Sequence, residues 1–181
     1  MNYDLSLLEK EFKKLSKSDN IDDMIKFDDL MHQFECESFE IYGEIINIAK
    51  ENHVNNIYDI GCASGYQSEA FKQENINYIG IEGYFTGKGY WNDDIFKYIE
   101  KPYPFKIDSS ENDIAISKLC IGWNCFKFED NTYLKQLEAL SRDFKTVILY
   151  TTGEFINIAH KYFNNITKCS NNYENLYLLK N

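Results

Sequence analysis

Apolar residues recur along the first fifty positions at helical spacing. Leu5, Leu8, Phe12 and Leu15 fall three and four apart, and the "KSDN" that follows stops one helix and caps another. Met24, Phe27, Met31 and Phe34 repeat the pattern and predict the inward face of a second helix. Ile41, Ile45 and Ala49 predict a third, ending before "NHVNN". From Asn56 the period changes to short β-branched runs. "IYDI" (57–60), "YIGIE" (78–82), "PFKI" (104–107), "DIAISKLCI" (113–121) and "TVILY" (146–150) read as strands. Most are apolar at successive positions, as in a parallel sheet covered on both faces. Helical stretches separate them at 66–74, 93–99, 131–140, with Asn131 as cap, and 154–163. The final "ITKCSNNYENLYLLK" holds two strand-like pieces around an Asn-rich turn, an antiparallel hairpin that closes the sheet. Strand and helix alternate, so the fold class is α/β.

A length of 181 residues buries a single core without calling for two domains. The expected organisation is one globular unit, with a helical cap over residues 1–55 and a sheet domain over 56–181. Net charge is −10 and Arg142 is the single arginine, so nucleic acid is a disfavoured partner. The start has no basic opening before an apolar run, and no stretch reaches the roughly 20 apolar residues of a membrane helix. The expectation is a cytoplasmic protein. Cys36, Cys62, Cys120, Cys125 and Cys169 form no CxxC pair and are read as reduced, mostly buried thiols. His32, His53 and His160 are scattered, so no metal site is expected.

The chemistry concentrates in "YDIGCASGY", residues 58–66. Gly61 to Gly65 lies where a strand ends and a helix begins, a place where the backbone turns tightly and unpaired amides face a ligand. Seventeen residues after Gly65, the next strand ends in Glu82, whose carboxylate suits a ribose diol. A dinucleotide loop wants a third glycine that is missing here, which leaves a nicotinamide-dependent oxidoreductase as a distant alternative.

The string resembles the first motif of class I S-adenosylmethionine-dependent methyltransferases, D-x-G-x-G-x-G, with Asp59, Gly61, Ala63 and Gly65 at its positions. The resemblance covers about residues 56–181. It implies a three-layer sandwich on a mostly parallel seven-stranded sheet, order 3-2-1-4-5-7-6, with a reversed last strand. It implies that Asp59, Gly61, Cys62, Ala63, Gly65 and Tyr66 line the cofactor's methionine end, and that Glu82 and Gly83 hold its ribose. By the same resemblance "KIDSS" gives Asp108 and Ser109 as adenine contacts, and the fourth strand leads to a mouth near Gly122. S-adenosylhomocysteine would be the product. The fourth strand ends in "LCIGWN", without the Pro-Pro string of the family's amine methylators of adenine or glutamine, and without the Pro-Cys pair of cytosine methylation. Cys120 is therefore read as a strand cysteine and not a nucleophile.

Tyr84, Phe85, Tyr90 and Trp91 are candidate walls for an aromatic group, and His160 or Tyr150 a candidate base. The front helices are expected to cover the cofactor and read the acceptor, and their acidic faces suit a small molecule, a cationic group or a protein. The function these features imply is methyl transfer to a small molecule or, failing that, a protein. A binding module of the same fold without turnover is the alternative.

Overall fold

The computed structural model describes residues 4–35, 38–83, 97–121 and 132–181. Its strands are β1 (Asn56–Ile60), β2 (Asn77–Glu82), β3 (Lys97–Glu100), β4 (Asp113–Lys118), β5 (Thr146–Tyr150), β6 (Asn165–Lys168) and β7 (Leu176–Lys180). They form one sheet in the order β3-β2-β1-β4-β5-β7-β6. β1 to β5 pair in parallel, and β7 runs antiparallel to both β5 and β6. The expected order and closing hairpin are therefore present. The helices are α1 (Ser6–Leu15), α2 (Ile21–Glu35), α3 (Ser38–Glu51), α4 (Ser68–Gln73), α5 (Thr132–Asp143) and α6 (Gly153–Ala159).

Side chains alternate strictly across the sheet, as the two-residue strand period requires. Ile57, Ile114, Ile116 and Ile148 face α3 and α4, packing with Ile41, Ile45, Ala49 and Phe71. Ile60, Ala115, Val147 and Leu149 face α5 and α6, packing with Leu137, Leu140, Phe155 and Ala159. This is a three-layer sandwich in which α3 belongs to an outer layer. α1 and α2 build a separate cluster in which Leu8, Leu15, Leu30 and Phe39 surround the ring of Tyr66. Among the described residues no helix is long and apolar enough to cross a membrane.

The third strand is not where the sequence pattern put it. β3 is "KYIE", paired from Ile79↔Lys97 to Glu82↔Glu100, and overlaps the 93–99 stretch expected to be helical. "PFKI" has no strand, because Pro102 and Pro104 lack ladder donors and the Ile107 amide donates to Asp143 Oδ2 at 3.1 Å. β3 is a short edge strand with exposed ends, so its apolar signal is weak.

The face of α2 is the expected one at Phe27 and Phe34, which pack against the front cluster, but not at Met24. Leu30 and Gln33 are buried, while Met24 is 53% exposed. Asp29 turns toward the loop after β1, where Ser64 N donates to it, and Gln33 in turn bonds Asp29. Truncating Leu30 to alanine should thus cost about 2–5 kcal/mol of unfolding free energy. Met24→Ala should stay within about 0.5 kcal/mol of wild type in the same urea titration; the reverse order would restore the expected face.

Candidate functional site

The loop between β1 and α4 adopts backbone conformations that side chains resist. Gly61 has φ +79°, Ala63 φ +49° and Gly65 φ +73°. Alanine therefore stands in a left-handed position that glycine fills at no steric cost. The turn is closed by Gly61 N donating to Ile81 O at 2.8 Å and Gly65 N donating to Cys62 O at 3.0 Å. At Gly61 a Cβ would meet Cys120 Cβ and Sγ at 2.3 Å, so β1 and the chain leaving β4 touch there. Ser117 Oγ reinforces the contact, donating to Ile60 O at 2.9 Å and accepting from Ile121 N at 3.2 Å.

Above the loop lie two carboxylates from different elements. Glu82, at the tip of β2, accepts from Ala63 N at 3.3 Å through Oε2 and from Gly83 N at 2.8 Å through Oε1. Two amides thus fix an acceptor group at the strand edge, an arrangement that could hold a vicinal diol. Gly83 cannot carry a side chain, since its Cβ would fall 2.2 Å from Pro102 N. Asp29, from α2, accepts from Ser64 N at 3.3 Å. Burial pushes its carboxyl above the usual range, against the opposing pull of donors from Ser64 and Gln33. Sequence reasoning missed Asp29. It is one acid among several in "DDMIKFDD", and only the tertiary contact singles it out.

Several expected site residues are reassigned by their positions. Asp59 is at the loop but fully buried beneath it, bonded to Gln67 and Tyr78. Cys62 is fully buried against the α3 face, and burial, followed by Asp59, Glu82 and Asp29, holds its thiol well above the ordinary range. Tyr66 is fully buried among α1, α2 and α3, so its ring fastens the front helices to the loop. Asp108 and Ser109 follow a non-strand segment and lie away from the loop, at the end of the sheet where β4 and β5 begin. Asp108 pairs with Lys106 at 2.8 Å with its side chain 87% exposed, and Ser109 Oγ donates to Asp143 O, just ahead of β5. His160 is exposed at the end of α6, at that same far edge, while Tyr150 ends β5 on the loop side. Tyr84, Phe85, Tyr90, Trp91, Gly122, Asn131, Cys36 and Cys125 lie outside the described residues.

No protein-family model matches the chain, and no curated protein matches it. Solved structures do. The methyltransferase domain of a bacterial Hen1 protein superposes with TM-score 0.57 at 14% identity, over 77% of this chain and 96% of that one. Human N-acetylserotonin methyltransferase, solved with S-adenosylmethionine, gives 0.58 at 9% identity over 97% of this chain and 58% of its own. A protein from Nostoc punctiforme assigned as an O-methyltransferase gives 0.60 at 8% identity, over 97% and 69%. At these identities the likeness is one of fold, and the chain has the α/β fold of class I methyltransferases.

The Asp59 carboxyl carries a pH signature. Gln67 Nε2 donates to its Oδ2 at 2.8 Å and Tyr78 Oη at 2.5 Å, yet burial outweighs both bonds and pushes it up to about 6. A carboxyl raised in the folded state stabilises the fold below its unfolded value of 3.8 and loses that contribution as pH rises through 6. Between pH 5 and 7.5 wild type should therefore lose about 1.4 kcal/mol more stability than Asp59→Asn. Denaturant titrations of both proteins at the two pH values measure the difference, and parallel curves would mean Asp59 is already ionised at pH 5.

Proposed function

We propose that this protein is an S-adenosylmethionine-dependent methyltransferase acting on a small molecule. The observation that supports it most is the pairing of a left-handed loop at Gly61, Ala63 and Gly65 with the Glu82 carboxylate fixed at the next strand tip. The strand order adds support against the oxidoreductase alternative, because dinucleotide folds use 3-2-1-4-5-6 without the inserted antiparallel strand.

The residues that would hold the cofactor are the 61–65 backbone, Glu82 and Gly83. When bound, the cofactor supplies a methyl group on a positively charged sulfur. Glu82 would accept the ribose hydroxyls, and the loop backbone would lie against the methionine end. Asp59, Gln67 and Tyr78 keep that backbone in place from below. Asp108 and Ser109 drop out of the set because of where they lie. Methyl transfer is an in-line displacement, so alignment in a dry site accounts for much of the rate and no strong base is obligatory. The front helices serve to exclude water, with Asp29 and Tyr66 fastening them to the loop.

A binding module without turnover is the second reading, favoured by the Ala63 methyl in the left-handed position and by the Asp29 carboxylate seated on the Ser64 amide.

Glu82→Gln keeps the shape of the side chain and turns one acceptor into a donor. Charged hydrogen bonds are worth about 1.5–3 kcal/mol, so affinity for S-adenosylmethionine should fall roughly ten- to a hundredfold, with the demethylated product falling in parallel. Calorimetry on both proteins is the measurement, and an unchanged affinity would remove the main support for the cofactor. With one arginine and a net charge of −10 the chain should also show no binding to duplex DNA or RNA at about 0.15 M salt in a gel-shift titration. Tight binding that weakens steeply with added salt would replace the small molecule by a nucleic acid.

A further inference from the structure

The backbone of the 61–65 loop has no amide left to offer a ligand. Gly61 N and Cys62 N both donate to Ile81 O, Ala63 N donates to Glu82, Ser64 N to Asp29 and Gly65 N to Cys62 O. An oxyanion would find no donor along this stretch, whereas Asp59, Glu82 and Asp29 all bear on the loop residue Cys62. Such a loop favours a ligand by its positive charge.

Asp59 differs from the other two acids because it is fully buried, so water cannot relieve its charge. Its Oδ2 accepts from Gln67 and Tyr78, but Oδ1 has no hydrogen-bond partner. Two acceptors, Asp59 Oδ2 and Cys62 O, hold the Gln67 amide in its orientation, and both of its donors are thereby used. Tyr42 of α3, Tyr78 of β2 and Cys62 face the carboxyl as neutral groups, held high by burial and then by the nearby acids. Glu82 at the tip of β2 opposes ionisation of Asp59, and Lys118 at the end of β4 favours it. Asp29 of α2 bears on Tyr42 and Cys62 beside it. A half-satisfied buried carboxyl in these surroundings ionises more readily when a further cation arrives.

S-adenosylmethionine brings that cation, because its sulfonium leaves it with a net positive charge, whereas S-adenosylhomocysteine has a neutral sulfur and no net charge. We propose that Asp59 distinguishes the cofactor from its product: a sulfonium over the loop and the ionised carboxyl beneath it stabilise each other, so the charged ligand binds as a proton passes from Asp59 to the buffer, and the neutral ligand leaves that proton in place. This rests on the methyltransferase reading. Asp59 is then a positioning residue that acts through the loop without touching the ligand. Once the methyl group has left, sulfur is neutral, Asp59 takes a proton back, and the product loses the extra hold.

Affinity for the cofactor should be weakest where Asp59 stays protonated in both states and should rise with pH until it is ionised in both. Starting from about 6 in the empty protein, a coupling of about one unit makes S-adenosylmethionine bind about fivefold more tightly at pH 7.5 than at pH 5, with about half a proton released at pH 5.5. Calorimetry at pH 5.5 in two buffers of unequal ionisation heat counts that proton. S-adenosylhomocysteine should release none and bind equally at both pH values. Asp59→Asn should flatten the cofactor's profile and abolish the release. Tyr78→Phe removes a donor to the ionised form, so the midpoint of the profile should move up, which a merely structural role would not produce. That variant carries the test if Asp59→Asn does not fold. Equal release with both ligands, or release that persists in Asp59→Asn, would overturn the proposal. Cofactor binding with no proton released would also overturn it and leave the methyltransferase standing. Binding of neither ligand would remove the methyltransferase reading itself, and the proposal with it.

Discussion

A carboxylate buried where no solvent reaches it holds the centre of this molecule together. Asp59 receives one hydrogen bond from Gln67, past the loop, and one from Tyr78, on the neighbouring strand. Gln67 also donates to Cys62 O at 2.9 Å, so a single amide group joins the strand end to the turn that follows it. Removing either donor would leave a buried acceptor short of partners, which costs more than the bond itself gains. Other features follow from this tie. Gln67 is occupied below the loop and makes no cap for α4, which starts only at Ser68. Tyr66, forced to the other side of the chain, becomes the ring around which α1 and α2 pack.

Charge is layered over that frame. Asp59 lies beneath the loop, Glu82 at its rim and Asp29 above it, and Cys62 feels all three. Three acids converge on one turn from β1, β2 and α2, and among described side chains Lys118 is the cation that acts on Asp59. A neutral or anionic guest would gain little from such surroundings. A sulfonium or an ammonium would gain a great deal, because low local dielectric strengthens every attraction it makes.

β1, β2, β4 and β5 were legible because each is largely apolar at successive positions, the signature of a buried parallel sheet, whereas β6 and β7 were legible as a hairpin around an Asn-rich turn. The glycine turn and Glu82 were legible as well, being fixed in sequence by strand ends. Edge strands leave less trace. "KYIE" is half polar and pairs on one side alone, whereas "PFKI" looks like a strand until Pro104 and the neighbouring Pro102 are counted as missing donors. Misplacing β3 carried Asp108 and Ser109 with it to the wrong end of the sheet. The inward turn of Asp29 was hidden for a different reason: it answers to Ser64, 35 positions away, which no helical period can report. The assignment of the loop, Glu82 and Gly83 to a cofactor rests on resemblance and is a proposal.

The contact between Gly61 and Cys120 narrows the routes by which this chain can change. The space a side chain at 61 would need is filled by the Cys120 side chain, and φ at 61 is positive besides. Shrinking position 120 first would remove the collision but leave the backbone strain, so the two-step path to a larger residue at 61 stays closed from either end. Position 120 is under a different constraint, because its side chain is partly exposed and already fills the space over Gly61. Drift at the tips of β1 and β4 is thus one-sided, with the glycine held fixed while its partner across the crevice is not bound to one backbone conformation by it.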